Sequence, residues 1–288
     1  MVYLLLCIIS STLIFVSFKL IDVYKVRIFP AIVFNYLAAS ALGFILHKGT
    51  PAVQIISEAN WLYIALLIGA LFITMFYVIG ITTQKVGITV TSVAGKMSVI
   101  IPVAFSIILY SEVLNISKIT GITLALISIF LTVYKDAKQK NAQKYIMLPF
   151  IVFLGTGTID SLVKFAQEKY ITEDISLVFS ASIFSISAVI GIVISIIRKN
   201  RLKDFFCLKT MILGSLLGFF NFGSLYFIIM AFDSNVFDSS IIFGLNNIGI
   251  VGLSVMVSLL FFKERLNRVN WLGISMAIIA IVFLTQSY

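Results

Sequence analysis

Lys96 stands in TSVAGKMSVIIP, about ten residues into an apolar run. At about 1.5 Å per helical residue that is roughly 15 Å deep, too far for an easy reach to water. An ammonium at such depth costs about 2.5–3.5 kcal/mol on insertion scales, so it must face a polar interior. There it can hold a substrate carboxylate or phosphate, or change charge during a cycle. It can equally be a packing lysine, pinned by backbone carbonyls or a buried carboxylate. Asp160 and Lys164 come four apart in GTIDSLVK, on one face of a helix. A desolvated acid titrates, which makes Asp160 a candidate for proton or substrate coupling. The structural alternative is an i, i+4 pair with Lys164 reaching the helix end. Amides and a phenol complete the set: Asn35 and Tyr36 in FNYLAAS, Asn221 in GFFNFGS, Asn246 and Asn247 in FGLNNIG. Together they can bind a small polar ligand; singly they can glue helices to one another.

Other chemistry is poorly represented. His47 is the one histidine, and Cys7 and Cys207 are the two cysteines, so neither a metal site nor a disulfide framework is expected. Asp160 has no second acid within the apolar runs, and no nucleophile–base set accompanies it. The chain is therefore not expected to be an enzyme or to need a cofactor. The string AGKMS resembles the tail of a phosphate loop, but Val90 stands where the first glycine belongs and Met97 replaces the hydroxyl residue.

These residues lie in a sequence that is 60% hydrophobic and 11% charged, with a mean hydropathy of +1.12. Soluble domains carry about 25% charge, so lipid must be the solvent here. Four prolines and 17 glycines argue against a disordered or collagen-like chain. A span needs roughly 20 apolar residues. Ten runs qualify: 2–18, 28–46, 61–81, 86–110, 116–134, 146–166, 175–197, 210–232, 237–262 and 268–286. The first lacks a basic leader and a small-residue cleavage site, so it reads as a retained span. The expected fold is an all-α integral membrane protein of ten transmembrane helices, with Trp61 and Trp271 as interfacial anchors at run starts.

One phrase occurs twice. EVLNISKITG at 112–121 returns as ERLNRVNWLG at 264–273, and the following runs GITLALISIFL and GISMAIIAIVF also agree. The copies fall after spans 4 and 9, which divides the chain into 1–140 and 141–288, five spans each. An odd number of spans forces the second copy to enter from the opposite side. Two inverted repeats are thus expected, with a binding site between them near the midplane. Asn246 and Asn247 fall near the position matching Lys96. The phrase itself reads as structure. Glu112 and Glu264 end a helix, Asn115 and Asn267 suit an N-cap, and Gly121…Ala125 and Gly273…Ala277 permit close packing. Gly214, Gly218 and Gly223 read the same way, and Pro102 should weaken the helix beyond Lys96.

The net charge of +9 is an orientation signal. Loops on one side carry 16 of the 21 Lys and Arg; the other side has Lys48, Lys118 and Lys169. The positive-inside rule places the loop between spans 9 and 10 in the cytoplasm and both termini outside. Nucleic acid is not an expected partner.

The duplicated glutamate–leucine–glycine turn, at these places in a ten-span chain of this length, resembles the drug/metabolite transporter superfamily, in its EamA-like group. The resemblance covers essentially the whole chain. It implies movement of small metabolites such as amino acids without ATP. It also implies cytoplasmic termini, opposite to the loop charges. The expected function is a secondary transporter in a bacterial inner membrane, with export the expected direction. It would carry a small polar metabolite, such as an amino acid or related organic anion, by alternating access, with or without proton coupling. Its partners would be the lipid bilayer and the small-molecule substrate. The alternative is a non-transporting multi-pass protein, a sensor or assembly partner.

Overall fold

The structure is a computed structural model that describes residues 1–57, 59–104, 116–133, 145–197, 205, 207–233 and 239–285. The described residues form helices and no strand. In chain order they are α1 (Val2–Val23), α2 (Ile28–Leu46), α3 (Ala52–Ser57), α4 (Leu62–Lys85), α5 (Ile88–Met97), α6 (Ile116–Val133), α7 (Met147–Tyr170), α8 (Glu173–Ile197), α9 (Leu208–Asp233), α10 (Ser239–Leu260) and α11 (Arg268–Thr285). Among the described residues, six segments are long and apolar enough to cross a membrane: Val2–Val23, Ile28–Leu46, Leu62–Lys85, Met147–Ala166, Ile175–Ile197 and Leu208–Ala231. Four shorter apolar helices accompany them, Ile88–Ala104, Ile119–Thr132, Gly244–Leu260 and Arg268–Leu284. Large apolar side chains such as Ile45, Phe130, Leu154 and Val189 project outward from these helices. This is consistent with an integral, multi-pass membrane protein.

Prolines punctuate the helices as their chemistry dictates. Pro30 and Pro149 occupy first turns, where the missing N–H costs no hydrogen bond, and Pro51 immediately precedes α3. Pro102 is the exception. It has no N–H to give Ser98 O, so Ile101 N donates there instead, at 2.9 Å, and α5 closes at Met97 before helix resumes at Ile100. The span hydroxyls mostly donate one turn back, as Thr82 does to Val78 O and Thr83 to Ile79 O. That bond satisfies a polar group without a partner helix.

Two compact units emerge, and each draws on both halves of the sequence. The first comprises Met1–Val16, Val78–Thr158 and Gly223–Tyr288. Its core joins Val90, Val93 and Met97 of α5 to Ala125 and Ile129 of α6, Val251 and Val255 of α10, and Ala277 and Ile281 of α11. α6 and α11 meet through glycine. A Cβ on Gly121 would fall 2.7 Å from Leu284, and one on Gly273 would fall 2.6 Å from the Thr132 backbone. Leu284 is 152 residues after Thr132, as Gly273 is after Gly121. Each helix therefore offers the other the same pair of positions, and the pair is antiparallel. Asn267 caps α11 as its sequence suggests: Asn270 N donates to Asn267 Oδ1 at 2.8 Å, and Asn267 N to Asn270 Oδ1 at 3.0 Å. Asn270 Nδ2 also donates to Leu131 O and Thr132 O, tying the start of α11 to the end of α6. Glu112 and Asn115 lie outside the described residues.

The second unit comprises Ser17–Tyr77 and Ile159–Phe222. Here α2 runs between α8 and α9. Against α8, Gly43 faces Ala181 and Gly191 faces Val33. This is again a reciprocal antiparallel exchange, now at an offset of 148 residues. Ser40 Oγ and Ser185 Oγ share a hydrogen bond of 2.5 Å in the same seam. Against α9, Gly214 lies on Ala31 O and Gly218 on Asn35 O, so the two helices run parallel with their backbones touching.

Candidate functional site

Lys96 lies in the first unit, in the last turn of α5. Eight of the ten α5 residues are buried; the two that are not are Gly95 and Lys96. Beside Gly95 an added Cβ would meet only Val152, at 3.9 Å. The helix is thus sealed along its length and opens at the lysine. A helix C-terminus carries partial negative charge from its last carbonyls, which favours an ammonium there. Lys96 takes part in polar interactions at this position.

The other end of α5 is fixed by Glu264, which follows α10 in the repeated phrase. Ile88 N donates to Glu264 Oε1 at 2.7 Å and Thr89 N to Oε2 at 3.4 Å. Gly87 precedes them with φ 126, a left-handed conformation, and leaves no room for a Cβ beside the carboxylate. Next to the cap, Thr89 Oγ1 and Ser258 Oγ are 2.7 Å apart. These contacts set α5 antiparallel to α10, and Val93 and Met97 then pack with Val251 and Val255. A third helix joins them, as Ile8 of α1 packs on Gly249 of α10. Asn246 and Asn247 occupy the same turn of α10 as Gly249, and both are buried. The structure thus brings Lys96, Asn246 and Asn247 into one unit.

Asn35, Tyr36 and Asn221 belong to the second unit. Asn221 Nδ2 donates to Asn35 Oδ1 at 3.2 Å. Adjacent residues on a helix diverge by about 100°, so α2 aims Asn35 at α9 and Tyr36 elsewhere. The Tyr36 ring lies 5.4 Å from Phe76 and 6.0 Å from Phe184. Among the described residues Asn35 Nδ2 and the Tyr36 hydroxyl have no hydrogen-bond partner, although both residues are wholly buried. Removing Asn221 takes the donor away from buried Asn35 Oδ1, which costs about 1–3 kcal/mol. A double-mutant cycle of Asn35→Leu and Asn221→Leu should give a coupling of about 0.6–1.7 kcal/mol, read from unfolding in detergent. A coupling near zero would show the two amides to be energetically independent.

Asp160 and Lys164 also belong to the second unit, on one face of α7. Asp160 is exposed and Lys164 half-buried, and both take part in polar interactions. Three of the eight candidate residues, Lys96, Asn246 and Asn247, belong to the first unit and the other five to the second. Sequence reasoning also passed over Glu264 as a cap for α5. It is an ordinary residue whose importance depends on register. Among the described residues no three His, Cys, Asp or Glu come together as a metal site would require.

No family model matches the chain. It is 27% identical over 284 residues to an uncharacterised protein of Haemophilus influenzae, covering 96% of this chain and 95% of that protein. The similarity extends over nearly the whole of both chains.

Proposed function

We propose that the chain is a secondary transporter of a small polar metabolite, an amino acid or related organic anion. In this reading all ten apolar helices span the membrane as two inverted five-helix repeats, as in the drug/metabolite transporters that the sequence resembles. The observation that carries it is the reciprocity of the glycine contacts. Gly121–Leu284 mirrors Gly273–Thr132, and Gly43–Ala181 mirrors Gly191–Val33. Antiparallel pairing of equivalent helices is what inverted copies produce, and inverted copies are a common device of secondary transport. The parallel run of α2 and α9 agrees, since the second and eighth spans cross in the same sense. The opening at Lys96 supplies the charged group within the membrane that such proteins use.

Liposomes loaded with a mixed metabolite extract test this reading, with efflux followed by mass spectrometry in N-methylglucamine buffer. One class of anionic or zwitterionic metabolite should drain through the native protein. Lys96→Ala should slow it at least about tenfold, the factor that corresponds to about 1.4 kcal/mol. If nothing drains beyond empty liposomes, in either orientation or under a pH gradient, the chain is a non-transporting membrane protein.

Orientation has its own probe. Cys207 is exposed just before α9, and backbone N–H groups of Lys209 and Thr210 hold its thiol below the usual range. More of it is thiolate at neutral pH, so it should react readily, while Cys7 is buried. The basic loop that ends at Cys207 belongs in the cytoplasm by the loop charges. An impermeant maleimide should therefore label Cys207 only after cells are opened. Labelling of intact cells would reverse the orientation.

A further inference from the structure

One end of the second unit carries a polar group that the transport reading does not use. Tyr63 lies in the first turn of α4, and Phe165, Lys169 and Tyr170 close α7. The Tyr63 and Tyr170 hydroxyls are 2.6 Å apart, and their rings meet edge to face at 6.1 Å. This bond puts the start of α4 and the end of α7 at one level. Lys169 Nζ stands 5.5 Å from the Phe165 ring centre and 5.2 Å from that of Tyr170. The Tyr170 hydroxyl beside it holds the ammonium above its ordinary pKa, so the charge is kept.

The hydrogen-bonding capacity of the group is one-sided. The bond between the phenols uses one O–H, and whichever phenol donates, the other O–H is left over. An ammonium has three N–H donors, and the Tyr170 oxygen can accept from one of them. The remaining groups are all donors, and among the described residues no further acceptor meets them. Their depth is set by α7, whose membrane-crossing part ends at Ala166. Lys169 comes three residues later, about 4.5 Å at 1.5 Å per residue, which is the level of lipid headgroups. One turn towards the membrane centre, Leu66 and Leu67 of α4 are each 51% exposed and Phe165 of α7 is 37% exposed. Donors at headgroup level above an apolar surface suit a phosphodiester with an acyl chain beneath it. The sequence narrows the choice further. EKYITED at 168–174 sets Glu168, Glu173 and Asp174 against Lys169. A net anionic headgroup would meet that excess of like charge, whereas a zwitterionic one brings an ammonium of its own.

We propose that Tyr63, Lys169 and Tyr170 form a binding site for a zwitterionic phospholipid. Its phosphodiester sits on the Lys169 ammonium and the remaining phenol O–H, and its acyl chain lies along Leu66, Leu67 and Phe165. The bound lipid bridges α4 and α7. Nothing in this site depends on transport, and its test needs no transported substrate.

The test is thermal unfolding of purified full-length protein in mixed micelles. The added lipid is phosphatidylethanolamine, phosphatidylglycerol or diacylglycerol, all with the same acyl chains; a fourth sample receives inorganic phosphate instead. The native protein should melt about 2–4 °C higher with phosphatidylethanolamine than with diacylglycerol. Lys169→Met keeps the stem beside the rings and should lose at least about half of that difference, while Lys169→Arg should retain it. A purely structural lysine would lower melting by the same amount in every lipid and leave the difference unchanged. Tyr63→Phe with Tyr170→Phe, which removes both hydroxyls and keeps both rings, serves if Lys169→Met does not fold, and should also reduce the difference. An undiminished difference in the folded variant overturns the proposal. So does a native protein that phosphatidylglycerol or inorganic phosphate stabilises as much as phosphatidylethanolamine does.

Discussion

Gly218→Val is expected to yield no monodisperse protein, while Gly252→Ala, at a position where a Cβ meets nothing within 4 Å, behaves as native. A Cβ at Gly218 would fall well inside contact distance of Asn35 O and 2.9 Å from Ala38 Cβ. The first obstacle is backbone, which cannot rotate aside as a side chain can. Relief requires α9 to move off α2, which would also disturb the Gly214–Ala31 contact one turn away and the Asn221–Asn35 bond. Overpacking usually costs about 1–3 kcal/mol. With backbone on both sides, and the packing at Gly214 disrupted as well, about 4 kcal/mol or more is expected for valine. Alanine should fall between, at about 2 kcal/mol. Size-exclusion profiles and melting temperatures of the three variants decide the matter. A Gly218→Val protein that elutes and melts like the native one would mean that the helices are not in backbone contact.

The second large effect is expected at the start of α5. Gly87→Ala meets two penalties together. Its φ of 126 and ψ of 162 lie where only glycine is comfortable, a strain of about 1–3 kcal/mol. Its methyl would also lie 2.9 Å from Glu264 Oε1, and the flexible carboxylate would yield by giving up the cap. Loss of such a cap costs about 0.5–2 kcal/mol. The sum is about 3 kcal/mol. Glu264→Ala should lose the cap alone, about 1–2 kcal/mol including its charge at the helix N-terminus. Glu264→Gln keeps an acceptor and should lose about half of that. The order native, Gln, Ala, then Gly87→Ala in melting temperature is the expected result. If Glu264→Ala melts with the native protein, the carboxylate is not holding α5.

The sequence announced what depends on local composition. Apolar runs located the helices, and α2 falls on the expected bounds of 28–46. Proline chemistry anticipated the break beyond Lys96, and capping preference anticipated Asn267. The glycines at 121, 273, 214 and 218 announced close contact. Their partners could not be read, because a partner is fixed by which helices meet and in what register. Glu264 is the clearest instance. Its local sequence says that a helix is ending, and nothing nearby says that its carboxylate serves N–H groups of Ile88 and Thr89. The Asn35–Asn221 bond was hidden for the same reason. Asp160 was read as a deep carboxylate from its place in an apolar run, and depth along a helix does not say which way the side chain faces. It is exposed. The short helix α3 was missed because six residues carry too little periodicity to stand out from a linker. The compact units each recruit segments from both halves, an arrangement that no linear pattern records.

The exchange between α6 and α11 has an implication for how such a chain can be assembled. Thr132 and Gly121 on one helix meet Gly273 and Leu284 on the other, equivalent positions in each case. A surface that binds its own duplicate in this manner is isologous, the type that ordinarily joins two identical subunits. Each half-chain carries one side of the joint, a glycine and a partner at matching positions. Two such halves made as separate polypeptides can associate through it with no contact that the fused chain lacks. The linkage between the halves then adds effective concentration to an association that surface complementarity already specifies.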